Sequence, residues 1–243
     1  MGYPFASVGL IPKGTGNDFA RNFANGELFF DIDAQTDGSP VLVDVLACND
    51  MYAINMVNIG FDCEVVKRMV RIKRSPLVPS KLAYIVALVM TLIKKPGVET
   101  EVSFDSSERE KRSLLLTTIA NGCFCGGGFH SNPKASLVDG NIDSLLVNNV
   151  SRRTFLRLVP SYKKGTHLVE KNFSIISANT VKTLDMYFDG FQSISVDGEL
   201  FEVDRELHMS VLRGALKFNV PKGSGLAKDR QVQADKDGEK LEV

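Results

Sequence analysis

The chain has 243 residues, of which 44% are hydrophobic and 24% are charged, as in an ordinary folded protein of one large or two small domains. Its 29 basic and 29 acidic residues give a formal net charge of zero. Because broad nucleic-acid binders usually carry a positive charge, no nucleic-acid partner is expected. The longest apolar run, residues 82–93, is too short to span a bilayer, so any membrane contact is expected to be peripheral.

The four cysteines follow neither the spacing of a zinc site nor a disulfide framework. They are Cys48, Cys63, Cys123 and Cys125. Free thiols are typical of a reducing compartment, and the sequence shows no secretory signal. A cytoplasmic location is therefore expected.

The first elements in chain order are a short strand over residues 6–11, a glycine-rich turn and a helix that begins at residues 17–23. Asn17 or Asp18 is a natural cap for that helix. A strand, loop and helix in this order present backbone N–H groups to an anion. The loop is therefore a candidate anion-binding site.

The remaining pattern is rich in strands with a few helices. Strands are predicted at 41–46, 51–59, 99–104, 112–121, 142–148, 173–177, 180–188, 191–196 and 206–212, and helices at 62–74, 81–94 and 154–162. Turn residues separate the strands, including Asp189-Gly190 and Asp197-Gly198. Short strands at this spacing predict a β-sandwich. The polar segment from residue 222 onward is predicted to be disordered.

Five segments, in order between Val8 and Pro221, resemble motifs of the diacylglycerol kinase and sphingosine kinase family. They are residues 11–21 (IPKGTGNDFAR), 58–62 (NIGFD), 121–135 with its triple glycine, 139–143 (DGNID) and 196–199 (VDGE). The resemblance implies a mixed α/β and mainly β chain. Residues 37–221 would form the β-sandwich-like C-terminal domain of the diacylglycerol kinase/NAD kinase-like fold. Residues 1–36 would be a remnant of the α/β nucleotide-binding domain, and residues 222–243 a disordered tail.

The function implied by the resemblance is that of an ATP-dependent lipid kinase. Such an enzyme transfers the γ-phosphoryl group of ATP to a lipid hydroxyl, with diacylglycerol as the first choice of acceptor and phosphatidic acid as the product. ATP and Mg²⁺ are the implied cofactors, and the partner is a lipid substrate at a membrane surface. The family's Gly-Gly-Asp-Gly-Thr motif is not in this sequence, so the chain is expected to be truncated and inactive alone. An NAD kinase-like enzyme and a non-catalytic lipid-binding or interaction module remain alternatives, and a homodimer is left open.

The glycine-rich loop supplies the groups that phosphoryl transfer requires. Such transfer depends on positioning and charge neutralisation, hence on backbone donors, a hydroxyl and a metal-facing carboxylate. Gly14, Thr15, Gly16 and Asn17 are therefore predicted to bind the nucleotide, and Asp18 to join the network of metal and water. A helix cap after a turn is the alternative.

The segment from Asp197 to Glu199 is predicted to activate the acceptor. Two carboxylates two residues apart in an extended segment project to the same side. Glu199 is predicted to be the general base that takes the proton of the lipid hydroxyl, and Asp197 its metal-holding or orienting partner. A hairpin turn of the Asp-Gly type is the alternative, and Asp189-Gly190 is predicted to be such a turn.

A Mg²⁺ site is implied at Asp139, completed by carbonyl groups of Ser136 and Asn141. These oxygen ligands suit Mg²⁺, and a simple turn is the alternative. Asp143 is predicted to face solvent. The basic residues around helix 81–94 predict a surface for anionic lipid, with a core helix that has solvated ends as the alternative.

Overall fold

The computed structural model describes residues 6–14, 16–73, 80–94 and 97–227, with backbone alone at residues 73, 80–85 and 88. The strands are β1 (Phe23–Ala24), β2 (Ser39–Cys48), β3 (Met51–Ala53), β4 (Met56–Gly60), β5 (Val98–Phe104), β6 (Glu110–Ala120), β7 (Ile142–Asn148), β8 (Ile176–Val181), β9 (Thr183–Val196), β10 (Glu199–Val220) and β11 (Gly225–Leu226). The helices are α1 (Ile32–Thr36), α2 (Phe61–Lys73), α3 (Ser80–Lys94) and α4 (Arg152–Lys164), with short 3₁₀ helices at Ala20–Asn22, Gly26–Phe30 and Glu170–Asn172.

Nine of the described strands form one antiparallel sheet. Its order is β3-β2-β10-β9-β4-β6-β7-β8, and β5 pairs with β6 and β9 alongside β4. One apolar cluster contains Leu46 of β2, Val181 of β8 and Met209 of β10. Because β2 and β8 lie near opposite ends of the strand order, the sheet must curl round to bury this face against itself. The predicted β-sandwich-like fold is confirmed.

Helices α2, α3 and α4, which we call the helical layer, cover the other face of the sheet. A second cluster joins Phe61 of α2 and Phe155 of α4, whose ring centroids lie 4.7 Å apart, to Leu145 of β7. The Ser151 side chain caps the start of α4, and Gly165, at a φ of 73°, ends it. The helical layer therefore lies over β6 and β7.

The beginning of the chain differs from its prediction. The predicted strand 6–11 has only an isolated bridge from Val8 to Phe218, and the predicted helix is reduced to the 3₁₀ turn Ala20–Asn22. The side-chain amide of Asn22 donates to the carbonyls of Asp18 and Phe19, which a longer helix would need for its own backbone bonds.

The segment predicted as a domain remnant packs directly on the sheet. Phe23 and Phe29 share an apolar cluster with Phe218 of β10, and the rings of Phe23 and Phe218 stack at 5.3 Å. Gly225 and Leu226 pair with β1. The predicted disorder therefore begins too early, since residues 222–227 are ordered by this pairing, while residues 228–243 lie outside the described part of the chain.

The prediction of a turn at Asp189-Gly190 is wrong. Strand β9 runs through both residues and stays paired with β10 on either side, with Tyr187 opposite Glu206 and Phe191 opposite Asp204. Three residues of β9 therefore face the single residue Arg205, which has a φ of 60°. This is a β-bulge within a long hairpin.

Candidate active site

The Asp197-Gly198 pair forms the two-residue turn between β9 and β10. Val196 pairs with Glu199, and both turn residues have positive φ, 47° at Asp197 and 93° at Gly198. These are the signs of φ that a type I′ hairpin requires. The expectation that Asp197 and Glu199 project together from an extended segment is therefore wrong. Asp197 lies in the turn, and Glu199 starts the next strand opposite Val196.

The carboxylate of Asp197 holds the beginning of β4. It accepts backbone N–H bonds from Ile54 at 2.7 Å, Asn55 at 3.0 Å and Met56 at 2.9 Å. Burial raises the pKa of Asp197, and these N–H bonds offset part of the rise. The hairpin is thus fixed to the segment before β4. The role of Asp197 as a metal-holding or orienting partner stays a prediction.

The Asp18 carboxylate joins two glycine-rich segments that are far apart in sequence. Its oxygens accept the N–H groups of Gly127 at 2.9 Å and Gly128 at 2.7 Å. Arg21 donates to the Gly16 carbonyl at 3.2 Å, with its Nε 3.6 Å from Asp18. A Cβ added to Gly16 would lie 3.6 Å from the Gly127 Cα, so the two backbones approach closely.

Of the predicted nucleotide-binding residues, Gly14 is exposed, and Gly16 and Asn17 are half-buried beside Asp18. Asn17 adopts a φ of 52°, so the loop turns sharply before Asp18. Thr15 lies outside the described residues. The assignment of Gly14, Thr15, Gly16 and Asn17 to the nucleotide stays a prediction.

Two asparagines, missed by the sequence analysis, link these parts. Asn22 donates to the Asn55 side-chain oxygen at 3.3 Å and accepts the Cys123 N–H at 2.7 Å. Asn55 donates to the Phe124 carbonyl at 2.9 Å. A Cβ at Gly122 would lie 2.1 Å from the Asn55 side chain, so only glycine fits there. We call Asp18, Asn22, Asn55 and Asp197 the loop junction.

The residues predicted to bind Mg²⁺ make none of the described hydrogen bonds that join the loop junction. Asp139 is exposed and accepts the N–H of Asn141 at 3.0 Å, while Ser136 is half-buried. Within the described part of the chain, no three His, Cys, Asp or Glu side chains gather as a metal-binding group. The donors at Asp139 are oxygens, which suits Mg²⁺, and this site also stays a prediction.

A buried aspartate beside the loop that carries Asp139 was not predicted from the sequence. Asp44 is 1% exposed and accepts backbone N–H bonds from Gly140 and from Gly214, the latter at 2.7 Å. It therefore ties the loop that carries Asp139 to β2 and β10. Asp143, predicted to face solvent, is 7% exposed and accepts the Thr180 hydroxyl at 2.9 Å, because β8 covers this side of β7.

Asp62 is a carboxylate of a different kind. It lies in the first turn of α2, and burial raises its pKa from 3.8 to about 7. Burial and then the charge of Asp62 raise the pKa of the Cys125 thiol. The thiol sulfur lies 3.9 Å from the Tyr162 hydroxyl. The Gly-Phe-Asp motif was the signal that could have drawn attention to Asp62.

Only part of the basic surface predicted around helix 81–94 lies within the described residues, and the surface stays a prediction. Lys67 donates to the Ser193 hydroxyl of β9 at 3.0 Å, and Arg68, whose side chain is 16% exposed, lies 3.7 Å from Glu64, so neither is a free surface charge. The side chains of Lys73 and Lys81, and all of Arg74 and Lys95, lie outside the described parts. Among the described helices, none combines the length and apolar character needed to cross a membrane.

Comparison with known proteins agrees with this architecture. A model of the family described as YegS C-terminal NAD kinase beta sandwich-like domain matches residues 55–219, more than half of the 243 residues. The chain therefore belongs to this family, and the resemblance to diacylglycerol kinases is confirmed.

Similar proteins include a diacylglycerol kinase of Mycobacterium tuberculosis (strain ATCC 25618 / H37Rv), 28% identical over 215 residues, which cover 83% of this chain and 68% of the relative. A diacylglycerol kinase of Bacillus subtilis (strain 168) is 26% identical over 212 residues, with coverage of 84% and 68%. A solved structure of a diacylglycerol kinase from Bacillus anthracis str. Sterne has a TM-score of 0.62 at 17% identity and covers 87% of this chain and 66% of that one. This last likeness shows the fold alone.

Proposed function

We propose that this chain carries part of the active site of a kinase that transfers the γ-phosphoryl group of ATP to the hydroxyl of diacylglycerol. The observation that supports this most is the loop junction. It joins the glycine-rich loop, the triple-glycine loop and the Asp197-Gly198 hairpin through side-chain hydrogen bonds. Phosphoryl transfer depends mainly on positioning, and a junction of this kind fixes the position of three loops at once.

The chemical roles follow from what each carboxylate is free to do. Glu199 is exposed and its side chain has no hydrogen bond or ion pair within the described residues, so it can accept a proton from a lipid hydroxyl as general base. Asp18 and Asp197 hold loops through backbone N–H groups and would position the reacting groups. Asp139, with carbonyls from Ser136 and Asn141, would hold Mg²⁺, which supplies charge neutralisation when bound.

Transfer of labelled phosphate from ATP to diacylglycerol in mixed micelles tests the proposal. One arm uses the 243-residue chain. The other uses this chain joined to the region of the Bacillus subtilis relative outside the matched 212 residues. We expect labelled phosphatidic acid from the joined protein and little from the chain alone, because its sequence lacks the Gly-Gly-Asp-Gly-Thr motif.

Each alternative has its own outcome in this assay. Lipid binding without transfer by the joined protein would favour the non-catalytic module. Transfer to NAD instead of lipid would favour the NAD kinase-like alternative. Robust transfer by the 243-residue chain alone would show that the catalytic centre has been misplaced.

We also propose that the protein meets its lipid at a membrane surface through the helical layer. Val89, Met90 and Ile93 of α3 are 47%, 44% and 65% exposed, and Arg153 and Arg157 of α4 are exposed as well. Each basic residue near anionic lipid contributes about 1 kcal/mol to the binding free energy. Salt screens this attraction over a Debye length of about 8 Å. Co-sedimentation with anionic vesicles should therefore fall at high salt. Equal binding to neutral vesicles would exclude the electrostatic part.

A further inference from the structure

Two polar side chains under the helical layer have oxygens without partners. Asn58 of β4 and Ser195 of β9 are directly opposite each other in the sheet, so their side chains lie on the same face. Ser195 is 1% exposed, and both its hydroxyl oxygen and the Asn58 side-chain oxygen lack a hydrogen-bond partner within the described residues. Buried polar atoms are paired in most native proteins, so this pair requires an explanation. We call Asn58 and Ser195 the polar row.

A surface cavity of about 230 Å³ lies two residues along β4 and β9 from the polar row. It is lined by Gly60, Cys63, Glu64, Gly97, Val98, Phe191, Gln192 and Ser193. Gly60 lies two residues beyond Asn58 on β4, and Ser193 two residues before Ser195 on β9. Because residues i and i+2 of a strand share a face, the cavity and the polar row lie on the same face of the sheet, one step apart.

The loop junction lies one step in the opposite direction. Asp197 follows Ser195 by two residues, and Met56, whose N–H bonds to Asp197, precedes Asn58 by two. Two strand residues span about 7 Å. A group seated on the polar row would therefore lie about 7 Å from the hairpin that carries Asp197 and Glu199.

The charges and exposed surfaces of the cavity indicate the kind of ligand. Its one acidic lining residue, Glu64, has Lys67 at 3.9 Å and Arg68 at 3.7 Å, so no unpaired carboxylate is offered to a cation. Phe191 is 78% exposed at the cavity and gives it an apolar edge. The volume is below the ~300 Å³ at which pockets for drug-sized ligands begin. It therefore suits a small neutral head attached to an apolar chain.

We propose that the polar row seats the neutral, hydroxyl- and ester-bearing head of the acceptor lipid. Ser195 would donate a hydrogen bond to an ester or hydroxyl oxygen, and the Asn58 oxygen would accept a hydrogen bond from a hydroxyl. This inference rests on the proposed function and adds the residues that would hold the head of the lipid. A lipid with a cationic amino-alcohol head would find no carboxylate to pair with in the cavity.

Binding of 1,2-dioctanoylglycerol to the 243-residue chain, followed by NMR of labelled methionine methyl groups, tests the seat directly. Met56 is on the same face as Asn58, and its signal is assigned by its loss in Met56→Leu. We expect this signal to shift on titration. We also expect Ser195→Ala and Asn58→Leu each to weaken binding about 3- to 10-fold, the range of one hydrogen bond. A short-chain amino diol should bind at least 10-fold more weakly than the diacylglycerol.

The matched control is Ser144→Ala. Ser144 lies on β7, away from the cavity, and is 2% exposed, comparable to Ser195. Unlike the Ser195 hydroxyl, its hydroxyl donates to a carbonyl, that of Asn179 on β8, at 3.3 Å. Its loss should leave binding unchanged. Equal binding by wild type and Ser195→Ala, equal binding of the amino diol, or an equal loss of binding in Ser144→Ala would overturn the seat.

The transfer assay separates this inference from the proposed function. If the joined protein phosphorylates diacylglycerol and Ser195→Ala leaves its KM for the lipid unchanged, the seat is wrong and the function stands. If Ser195→Ala weakens lipid binding but no form transfers phosphate, the seat stands and the proposed function is wrong. A higher lipid KM with an unchanged KM for ATP in Ser195→Ala supports both.

Discussion

The loop junction and the polar row are both polar, but they differ in whether their oxygens have partners. In the loop junction, Asp18 accepts two backbone N–H bonds and Asp197 accepts three. In the polar row, Asn58 and Ser195 each retain an oxygen without a partner in the described structure. A polar group that is satisfied within the protein stabilises its shape, whereas one left open costs stability and is available to a ligand.

On our proposal, this difference separates residues that position the site from residues that contact the substrate. Substitutions in the loop junction should act first on stability. Substitutions at open groups should leave stability unchanged or increase it, and should act on binding or chemistry. Glu199, Asp197 and Asp62 allow this division to be tested with three carboxylates of similar chemistry and different surroundings.

The largest effect is expected for Glu199→Gln in the joined protein. If Glu199 is the general base, kcat should fall roughly 10²- to 10⁴-fold, the usual contribution of positioned proton transfer. The KM for ATP should barely change, because the base acts on the acceptor hydroxyl. The melting temperature should stay constant, since the Glu199 side chain is exposed and makes no hydrogen bond or ion pair in the described residues. An unchanged kcat with an unchanged melting temperature would remove Glu199 from the mechanism.

A smaller effect, and one on stability, is expected for Asp197→Asn. The new amide cannot accept all three N–H bonds, and each buried N–H left unpaired costs about 1–3 kcal/mol. We expect a loss of about 2–4 kcal/mol, or roughly 5–15 °C in Tm. Thermal unfolding measures it.

Asp189→Asn is the matched control, because it changes the other Asp-Gly aspartate of the same hairpin. Asp189 is exposed in the bulge and has no hydrogen bond in the described residues, so its change should stay within about 0.5 kcal/mol. Equal losses in the two variants would mean that the N–H bonds of Asp197 contribute little.

These two Asp-Gly pairs also show how far the sequence could be read. Both pairs fit a hairpin turn by local preference, and one of them forms it. At Asp189-Gly190 no turn forms, because β9 remains paired with β10 on both sides of Asp189. Strand pairing between distant residues overrides a dipeptide preference, so a single sequence could not distinguish the two.

The family, the sandwich and the approximate positions of most strands and helices could be predicted, because they depend on periodicity and on motif order. The links within the site could not. Asn22 and Asn55 lie 33 residues apart and meet only once the fold has formed. Asp44 likewise contacts Gly140 and Gly214 across long stretches of chain. An asparagine or a buried aspartate carries no local pattern that reveals such a partner.

Among the three carboxylates, the smallest effect and the only gain in stability are expected for Asp62→Asn. The pKa of Asp62 is about 7 in the folded protein and near 3.9 in an unfolded chain. Between these values the folded state holds more protons than the unfolded state, so stability falls as the pH rises from about 4 to 7. Asparagine removes this loss.

A pKa rise from 3.8 to about 7 corresponds to at most ~4 kcal/mol. We expect about half of that, because Asp62 is only half-buried and the N-terminus of α2 favours its charge. Asp62→Asn should therefore raise the unfolding free energy by about 2 kcal/mol at pH 8 and by almost nothing at pH 4. Glu64→Gln, two residues further along α2, is the control, since Glu64 is paired with Lys67 and Arg68 and should not gain stability at pH 8. Denaturant unfolding at the two pH values measures both variants. A gain for Asp62→Asn that is equal at pH 4 and pH 8 would show that the charge of this carboxylate is not what opposes folding.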